Sequence, residues 1–298
     1  MKTVIVLGSS GMLGQTLFRT LGRVPGLKVW GTSRGNSGKP NVVPFDVAGG
    51  IPGLETVLQQ TGDCDYFVNC IAVLKSNIDE SNAESSQNAT IVNAFFPHEL
   101  SLVAKKCNAQ VIHVSTDGVF AGTDQKPYLE SHVADANDLY GKTKLMGEVI
   151  ADWFVTVRCS LIGFDSGKHR GLLEWFLAQP EGAELSGYTD QLWNGVTTFQ
   201  FAQLCAKLIL GDEFSRLRKE SPIHHFIPNE TVSKYQLLEL FRAAFKKNLL
   251  VRAMESPSGP TRRVLGSRYR TLQDIYGKGH SLETALSELM MEYPERLK

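Results

Sequence analysis

Short β-rich runs alternate with segments of helical spacing through the first half of this 298-residue chain. The alternation is typical of βαβ units, in which a helix connects two strands of a parallel sheet. It therefore predicts an α/β fold with a doubly wound parallel sheet. The predicted strands are Thr3–Leu7, Lys28–Gly31, Val42–Phe45, Tyr66–Cys70, Ala109–Val114 and Val155–Arg158. The predicted helices, with apolar residues three and four positions apart, are Met12–Leu21, Leu54–Gln60, Ile91–Cys107 and Gly141–Asp152.

The second half of the chain loses this alternation beyond Ile162, where Gly and Pro cluster in 163–171 and 179–187. We therefore expect a first domain over residues 1–162 and a second, smaller C-terminal domain over residues 163–298. Residues 223–227 have the composition of a strand, which can return to the first sheet. Three more helices are predicted at Phe199–Leu210, Ser233–Phe245 and Ser281–Tyr293, with Thr198 capping the first and Ser233 or Thr231 the second.

The charge balance excludes several classes of protein. Lys and Arg number 31, as do Asp and Glu, so no net field attracts nucleic acid or an anionic membrane. The longest apolar runs are far shorter than the ~20 residues of a membrane-spanning helix. Met1-Lys2-Thr3-Val4 leads directly into a strand without a secretory signal. We therefore expect a cytoplasmic protein with neither a membrane nor a nucleic-acid partner.

The five cysteines are an odd number and contain no Cys-x-x-Cys spacing. They lie in apolar surroundings, as in Val68-Asn69-Cys70-Ile71-Ala72. The pattern predicts buried free thiols rather than a disulfide framework or a metal site.

A glycine-rich turn, Gly8-Ser9-Ser10-Gly11-Met12-Leu13-Gly14, follows the first predicted strand and opens the first predicted helix. Glycines let the backbone N–H groups and the helix N-terminus approach a pyrophosphate closely. Such a turn also occurs where only tight packing is needed, but the strand before it and the helix after it favour a Rossmann-type dinucleotide site.

The residues after the second predicted strand distinguish the two nicotinamide cofactors. An acidic residue about 20 positions after the last glycine accepts a free ribose 2′-hydroxyl, whereas an Arg suits a 2′-phosphate. Ser33-Arg34 lies at that distance, which favours NADP(H). The alternative interpretation is that Arg34 is a solvated loop residue that binds no ligand. Asp46, after the third strand, is a candidate acceptor for the adenine amino group or an ordinary loop residue.

Tyr140 and Lys144 are four residues apart on a predicted helix and therefore share one face. A phenol has a pKa of ~10, and a neighbouring ammonium lowers it, so the pair is a candidate general acid or base. The spacing alone is common. The assignment of Tyr140 and Lys144 as a catalytic pair is strengthened by Ser115-Thr116-Asp117, which follows the predicted strand Ala109–Val114. Catalytic residues of doubly wound sheets gather at the carboxyl ends of strands. The same triplet is also compatible with a simple strand-end turn.

Taken together, these segments resemble the extended short-chain dehydrogenase/reductases, and within them the dTDP-4-dehydrorhamnose reductases and related sugar-nucleotide reductases. The matching segments lie in the family's order and span most of the chain, thinning after Ile162. They are Gly8–Gly14, Asn69–Ala72, Val92–Ala94, Val114–Gly122, Pro127–Glu130, Leu139–Glu148 and Ser233–Tyr235.

The resemblance implies a role for individual residues. Thr116 would hold the substrate carbonyl, Tyr140 would donate the proton, and Lys144 would bind the nicotinamide ribose and lower the Tyr140 pKa. The residues implied for the pyrophosphate and the adenosine path are Gly8, Ser10, Gly11, Met12, Leu13, Cys70, Ile71 and Ala72. For the substrate, Lys75, Asp117, Gln191 and Trp193 are candidates that have structural explanations as well.

The resemblance implies the NADPH-dependent reduction of a 4-keto nucleotide sugar, in deoxysugar or surface polysaccharide synthesis. It is also compatible with a homodimer. Two departures leave the sugar open: Gly118 replaces the usual Tyr, and Asn69-Cys70-Ile71 replaces Asn-Ala-Ala. A dehydratase is disfavoured because Asp117 is not followed by Glu. A nucleotide-sugar epimerase, and an NADP-binding subunit resembling the regulatory subunit of methionine adenosyltransferase, are the alternatives.

Overall fold

The computed structural model describes residues 1–165, 171–277 and 281–296. Its strands are β1 (Lys2–Leu7), β2 (Leu27–Ser33), β3 (Val42–Pro44), β4 (Tyr66–Asn69), β5 (Gln110–Ser115), β6 (Phe154–Arg158), β7 (Leu161–Ile162), β8 (Glu184–Tyr188), β9 (Gln191–Trp193), β10 (Val196–Thr197), β11 (Ile223–His225), β12 (Val232–Ser233), β13 (Leu250–Met254) and β14 (Thr261–Arg262). Its α-helices are α1 (Met12–Leu21), α2 (Gly50–Thr61), α3 (Ala83–Thr90), α4 (Phe96–Lys106), α5 (Leu139–Met146), α6 (Leu172–Leu177), α7 (Thr198–Leu210), α8 (Phe214–Glu220), α9 (Lys234–Phe245), α10 (Thr271–Tyr276) and α11 (Leu282–Glu292).

A seven-stranded parallel sheet forms the centre of the fold, in the order β11-β6-β5-β4-β1-β2-β3. The order runs outward in both directions from β1, which is the doubly wound arrangement that the alternating pattern predicts. The predicted fold class is therefore confirmed. Three smaller sheets, β7 with β10, β9 with β12 and β14, and β8 with β13, are built from later segments of the chain.

Both faces of the large sheet are covered, as a parallel sheet requires. On one face, α1 packs with α7, α8 and α10 through residues such as Leu17, Phe201 and Leu272. On the other face, α2 and α4 contribute Leu54 and Leu100 to a second apolar cluster. Residues 196–226 and 272–276 thus belong to the core of the large sheet, and a separate cluster lies within the C-terminal part.

The predicted helix Ile91–Cys107 has a more complex form in the structure. Residues Ile91–Phe95 form a π-helical turn, and α4 follows directly. The preceding helix, α3, was not predicted because its sequence, AESSQNAT, has no apolar stripe. The π-helical turn positions the buried Asn93. Its side-chain oxygen accepts the N–H of Val73, and its side-chain nitrogen donates to the carbonyl oxygen of Val73 and to the hydroxyl of Thr143.

Helix α5 ends at Met146, so the prediction that it runs to Asp152 is wrong. Gly147 passes so close to the carbonyl oxygen of Asn93 that a Cβ there would lie 2.1 Å from it. The chain leaves the helix at this contact, and Glu148 reaches a buried arginine, Arg158. The cap of α7 also differs from the prediction: Thr197, not Thr198, accepts the N–H of Gln200 in a capping box, whereas Ser233 caps α9 as predicted.

The cysteines Cys64, Cys70, Cys107, Cys159 and Cys205 are free thiols. In the described parts of the chain, no helix is both long enough and apolar enough to cross a membrane.

The contact between β1 and α1 gives a prediction about stability. A Cβ at Gly14 would lie 2.1 Å from the carbonyl oxygen of Gly8, whereas one at Gly11 would meet the same oxygen at 3.5 Å. We expect Gly14→Ala to lower the free energy of unfolding by about 1–3 kcal/mol, because the helix must shift. Gly11→Ala is the matched control and should stay within about 0.5 kcal/mol. Urea unfolding measures both, and equal losses would contradict this account of the turn.

Candidate functional site

The glycine turn places the start of α1 against the carboxyl end of β1. Gly8 adopts a left-handed φ of 80°, and its carbonyl oxygen accepts the N–H of Gly11 at 3.0 Å. In the part of the chain that the structure describes, no side chain caps the first turn of α1, whose N-cap is Gly11. The N–H groups of Met12 and Leu13 therefore open this helix without a side-chain acceptor, which fits a phosphate group.

A cavity of about 280 Å³ opens between this turn and the end of β2. Its lining includes Ser9, Ser10, Ser33, Ser37, Lys39 and Arg19. Arg34 is exposed and is not among the lining residues, so the cation nearest to this space along the same loop is Lys39. Sequence reasoning missed Lys39 because it considered only the position about 20 residues after Gly14.

The other predicted adenosine residues have defined positions. Ile71 lies against the turn, since its Cγ1 is 2.9 Å from where a Cβ of Gly8 would stand. Cys70 donates its N–H to Leu7 at 3.1 Å, which holds the segment Cys70–Ala72 beside β1. Asp46 caps a short 3-10 turn by accepting the N–H of Ala48 at 2.9 Å, so its carboxylate has a structural partner.

Thr116 and Tyr140 are brought together at the carboxyl end of β5. The Thr116 hydroxyl donates to Oδ1 of Asp117 at 3.2 Å and lies near enough to the Tyr140 phenol to act on its pKa. Gly118 packs against both Thr116 and Tyr140. A Cβ at Gly118 would lie 3.2 Å from Oγ1 of Thr116 and 3.3 Å from Cε1 of Tyr140. Lys144, one turn after Tyr140, donates from Nζ to the carbonyl oxygen of Val114 at 2.7 Å.

Burial dominates the electrostatics of this group. It raises the pKa of Tyr140 to about 12, an effect that the carboxylate of Asp117 increases and the Thr116 hydroxyl opposes. Burial also lowers the pKa of Lys144 to about 8. Burial outweighs any effect of Lys144, whose ammonium donates to the carbonyl oxygen of Val114, so the pKa of Tyr140 is raised rather than lowered.

Asp117 connects this group to later segments of the chain. The carboxyl group is buried, which raises its pKa, and Arg263, Thr116, Lys234 and Ser160 oppose the increase. Arg263 donates from Nε to the carbonyl oxygen of Phe120 at 3.0 Å. Lys234 is the first residue of α9, and burial lowers its pKa. Lys234 lies in the matching segment Ser233–Tyr235, but neither Lys234 nor Arg263 was predicted as a site residue, because their proximity to Asp117 arises only in the folded chain.

The remaining substrate candidates divide into two groups. Lys75 forms an ion pair with Asp138 at 2.7 Å, and Asp138 caps α5, so Lys75 lies near the helix start that carries Tyr140. Gln191 donates to Oγ of Ser256 at 3.0 Å, and Trp193 is buried in the C-terminal cluster. The structure therefore brings Asp117, and Lys75 at the edge, to the Tyr140 group but gives Gln191 and Trp193 partners elsewhere.

Comparison with known proteins gives one family over most of the chain. The model of the RmlD substrate binding domain matches residues 1–269. A curated relative, the dTDP-4-dehydrorhamnose reductase of Streptomyces griseus, is 32% identical over 144 residues, which cover 48% of this chain and 43% of the relative. The chain spans about half or less of the length of the first curated relatives that it matches.

Solved structures share the fold at low sequence identity. The dTDP-4-dehydrorhamnose reductase of Bacillus anthracis in complex with NADP has a TM-score of 0.76 at 17% identity, covering 98% of this chain and 99% of its own. The dTDP-glucose 4,6-dehydratase of the same organism in complex with NAD has a TM-score of 0.74 at 14% identity, covering 99% and 97%. The fold therefore does not separate a reductase from a dehydratase.

The electrostatics of Lys144 can be measured directly. In protein carrying ¹³C-labelled lysine, we expect the Cε resonance of Lys144 to titrate with a midpoint near 8, because burial disfavours its charged form. Lys144→Met assigns the resonance by removing it. A midpoint for that resonance near the ordinary value of ~10.4 would contradict the burial of the ammonium.

Proposed function

The chain belongs to the RmlD substrate binding domain family, and we propose that it catalyses the NADPH-dependent reduction of a 4-keto nucleotide sugar. The observation that carries the proposal is that Thr116 and Tyr140 face each other across Gly118, with Lys144 one turn away, at the same edge of the sheet as the glycine turn. The product alcohol fits deoxysugar or surface polysaccharide synthesis, the role implied by the sequence resemblance.

The reaction is a hydride transfer coupled to a proton transfer. When bound, NADPH supplies the hydride for the carbonyl carbon. Tyr140 gives its phenolic proton to the carbonyl oxygen, and Thr116 donates a hydrogen bond that orients this oxygen. The phenolate of Tyr140 is then reprotonated from solvent, which returns the enzyme to its starting state.

The perturbed pKa values suit these roles. With a pKa of about 12, Tyr140 keeps its proton at neutral pH and is available as an acid. Lys144 is charged below its pKa of about 8 and would bind the nicotinamide ribose. Its positive charge would favour the phenolate that forms as the proton leaves Tyr140. Activity should therefore decline as the pH rises through about 8.

Cofactor binding is assigned to the glycine turn and the cavity beside it. The N–H groups of Ser10, Met12 and Leu13 would hold the pyrophosphate. Gly8 and Gly11, whose own N–H groups donate to Thr32 and Gly8, would let the pyrophosphate approach the backbone closely. The hydroxyls of Ser10, Ser33 and Ser37 with the ammonium of Lys39 line the cavity and provide donors for a 2′-phosphate, joined by Arg34 from the exposed loop. Asp46, Cys70, Ile71 and Ala72 would border the adenosine. This donor set favours NADPH over NADH.

Substrate binding is assigned to the opposite side of Tyr140. Asp117 and Lys75 would contact the sugar directly, whereas Gln191 and Trp193 would support the wall that the C-terminal part provides. We propose that residues 1–162 form the cofactor domain and that residues 163–298 supply the substrate domain. Strand β11 and helices α7, α8 and α10 of the latter complete the large sheet and its cover.

The proposed activity predicts a specific loss on removing the proton donor. We expect Tyr140→Phe to reduce the rate of NADPH oxidation at least about 100-fold with dTDP-, UDP- or GDP-linked 4-keto sugars as substrates. Affinity for NADPH and the urea midpoint should remain close to those of the original protein. A Tyr140→Phe protein that works at the original rate would overturn the mechanism, and NADPH binding without oxidation in any assay would favour a regulatory subunit.

The cofactor preference predicts an effect of the loop cations. We expect Lys39→Ala and Arg34→Asp each to weaken NADPH binding about tenfold, because a charge-assisted contact to the 2′-phosphate is lost, while NADH binding changes little. Lys28→Ala, which removes an exposed lysine on β2 outside this cavity, is the matched control. Nucleotide fluorescence titrations measure the affinities, and equal losses for both nucleotides would contradict the assignment.

A further inference from the structure

Three side chains on one side of α5 contact three consecutive residues at the end of β5. Tyr140 faces Thr116 across Gly118, and Lys144 donates to the carbonyl oxygen of Val114. The third contact comes from Glu148, whose Oε1 accepts the hydroxyl of Ser115 at 2.6 Å. Although α5 ends at Met146, the N–H of Glu148 bonds to Leu145, which keeps its side chain on this side.

Glu148 is held on its other side by Arg158. Oε1 accepts from Nε at 2.8 Å and Oε2 accepts from Nη2 at 2.6 Å, a bidentate geometry between two buried side chains. Ser115 and Arg158 are direct partners in the register of β5 and β6. The carboxylate therefore spans the ends of two neighbouring strands beneath the proposed site.

The series of hydrogen bonds from Ser115 through Glu148 to Arg158 continues into β11. Arg158 pairs in register with His225, and its Nη1 lies 3.5 Å from Nε2 of that ring. Burial lowers the pKa of His225 to about 4, so the ring is neutral near pH 7. Its Nδ1 donates to the carbonyl oxygen of Gly266 at 2.7 Å, which leaves Nε2 as the acceptor for Arg158. The orientation of Arg158 is thus determined from both sides.

From this geometry we propose that Glu148, oriented by Arg158, is a positioning residue for the reduction. The inference rests on the proposed function and extends it. Glu148 holds Ser115 and thereby the adjacent Thr116, and its negative charge keeps the ammonium of Lys144 protonated in a buried place. Neither effect requires Glu148 to touch the substrate or the cofactor.

The surroundings of Lys144 show why this charge matters. The titratable groups that act on Lys144 are Glu148 and the thiols of Cys70 and Cys159, and Lys144 in turn acts on His113. Burial raises the thiol pKa values and lowers that of His113, so these three groups are neutral near pH 7. Of the four, Glu148 is the one whose charge is held in a salt bridge, to Arg158. Removing that charge must lower the pKa of Lys144 further.

Two variants test the electrostatic effect. Glu148→Gln removes the charge, and the double variant Glu148→Gln with Arg158→Met also avoids leaving a buried arginine without its partner. In Glu148→Gln, we expect the midpoint of the Lys144 Cε resonance and the alkaline limb of kcat against pH to move to lower pH. The double variant, which also removes the positive charge of Arg158, should move both in the same direction by less. Glu55→Gln, which removes the charge of an exposed ion pair with Lys106, is the matched control and should leave both unchanged.

A third variant separates positioning from charge. Ser115→Ala removes the hydroxyl that bonds to Glu148, so kcat should fall about tenfold while the Lys144 midpoint stays in place. An unchanged Lys144 midpoint in both Glu148 variants, or an unchanged kcat in Ser115→Ala, would overturn the inference. If the protein reduces no keto sugar, the proposed function fails, but the resonance still tests the role of Glu148.

Discussion

The contact between the end of β5 and the side chains of α5 is the constraint on which the candidate site depends. Residues 140, 144 and 148 follow one another at four-residue intervals and reach Thr116, Val114 and Ser115. Because two of these three pairs are hydrogen bonds, at Val114 and Ser115, a shift of one residue in either element would separate all three pairs. The proton donor, the nearby ammonium and the carboxylate are therefore positioned together.

Burial gives this contact its chemical character. The same loss of solvent raises the pKa of Tyr140 and lowers that of Lys144, so it favours the neutral form of both groups. A neutral phenol is the form that a proton donor needs. A neutral amine would not help the developing phenolate, and the buried carboxylate of Glu148 opposes that outcome. The site thus combines an acid that keeps its proton with a cation that keeps its charge.

Sequence reasoning predicted the parts of the fold that depend on local patterns. The alternation of apolar runs located β1 to β6 and the bounds of α1. The family resemblance implied that Thr116, Tyr140 and Lys144 act as one group. Sequence reasoning did not predict the end of α5, which is set by the approach of Gly147 to Asn93. The proximity of Asp117 to Lys234 and Arg263, and the ion pair between Glu148 and Arg158, arise from tertiary structure and have no signature in residue spacing. The polar helix α3 likewise lacks the apolar stripe by which helices are recognised.

The central claim is that hydride passes from a nicotinamide to a keto sugar beside Tyr140. The most direct test uses NADPH in which both hydrogens at carbon 4 of the nicotinamide are replaced by deuterium. It is incubated with the protein and a dTDP-linked 4-keto sugar, and the sugar is then measured by mass spectrometry. The account predicts one deuterium on the carbon that carried the ketone, in the original protein and not in Tyr140→Phe. Reduced sugar without deuterium, or bound NADPH with no reduced sugar for any nucleotide, would contradict it.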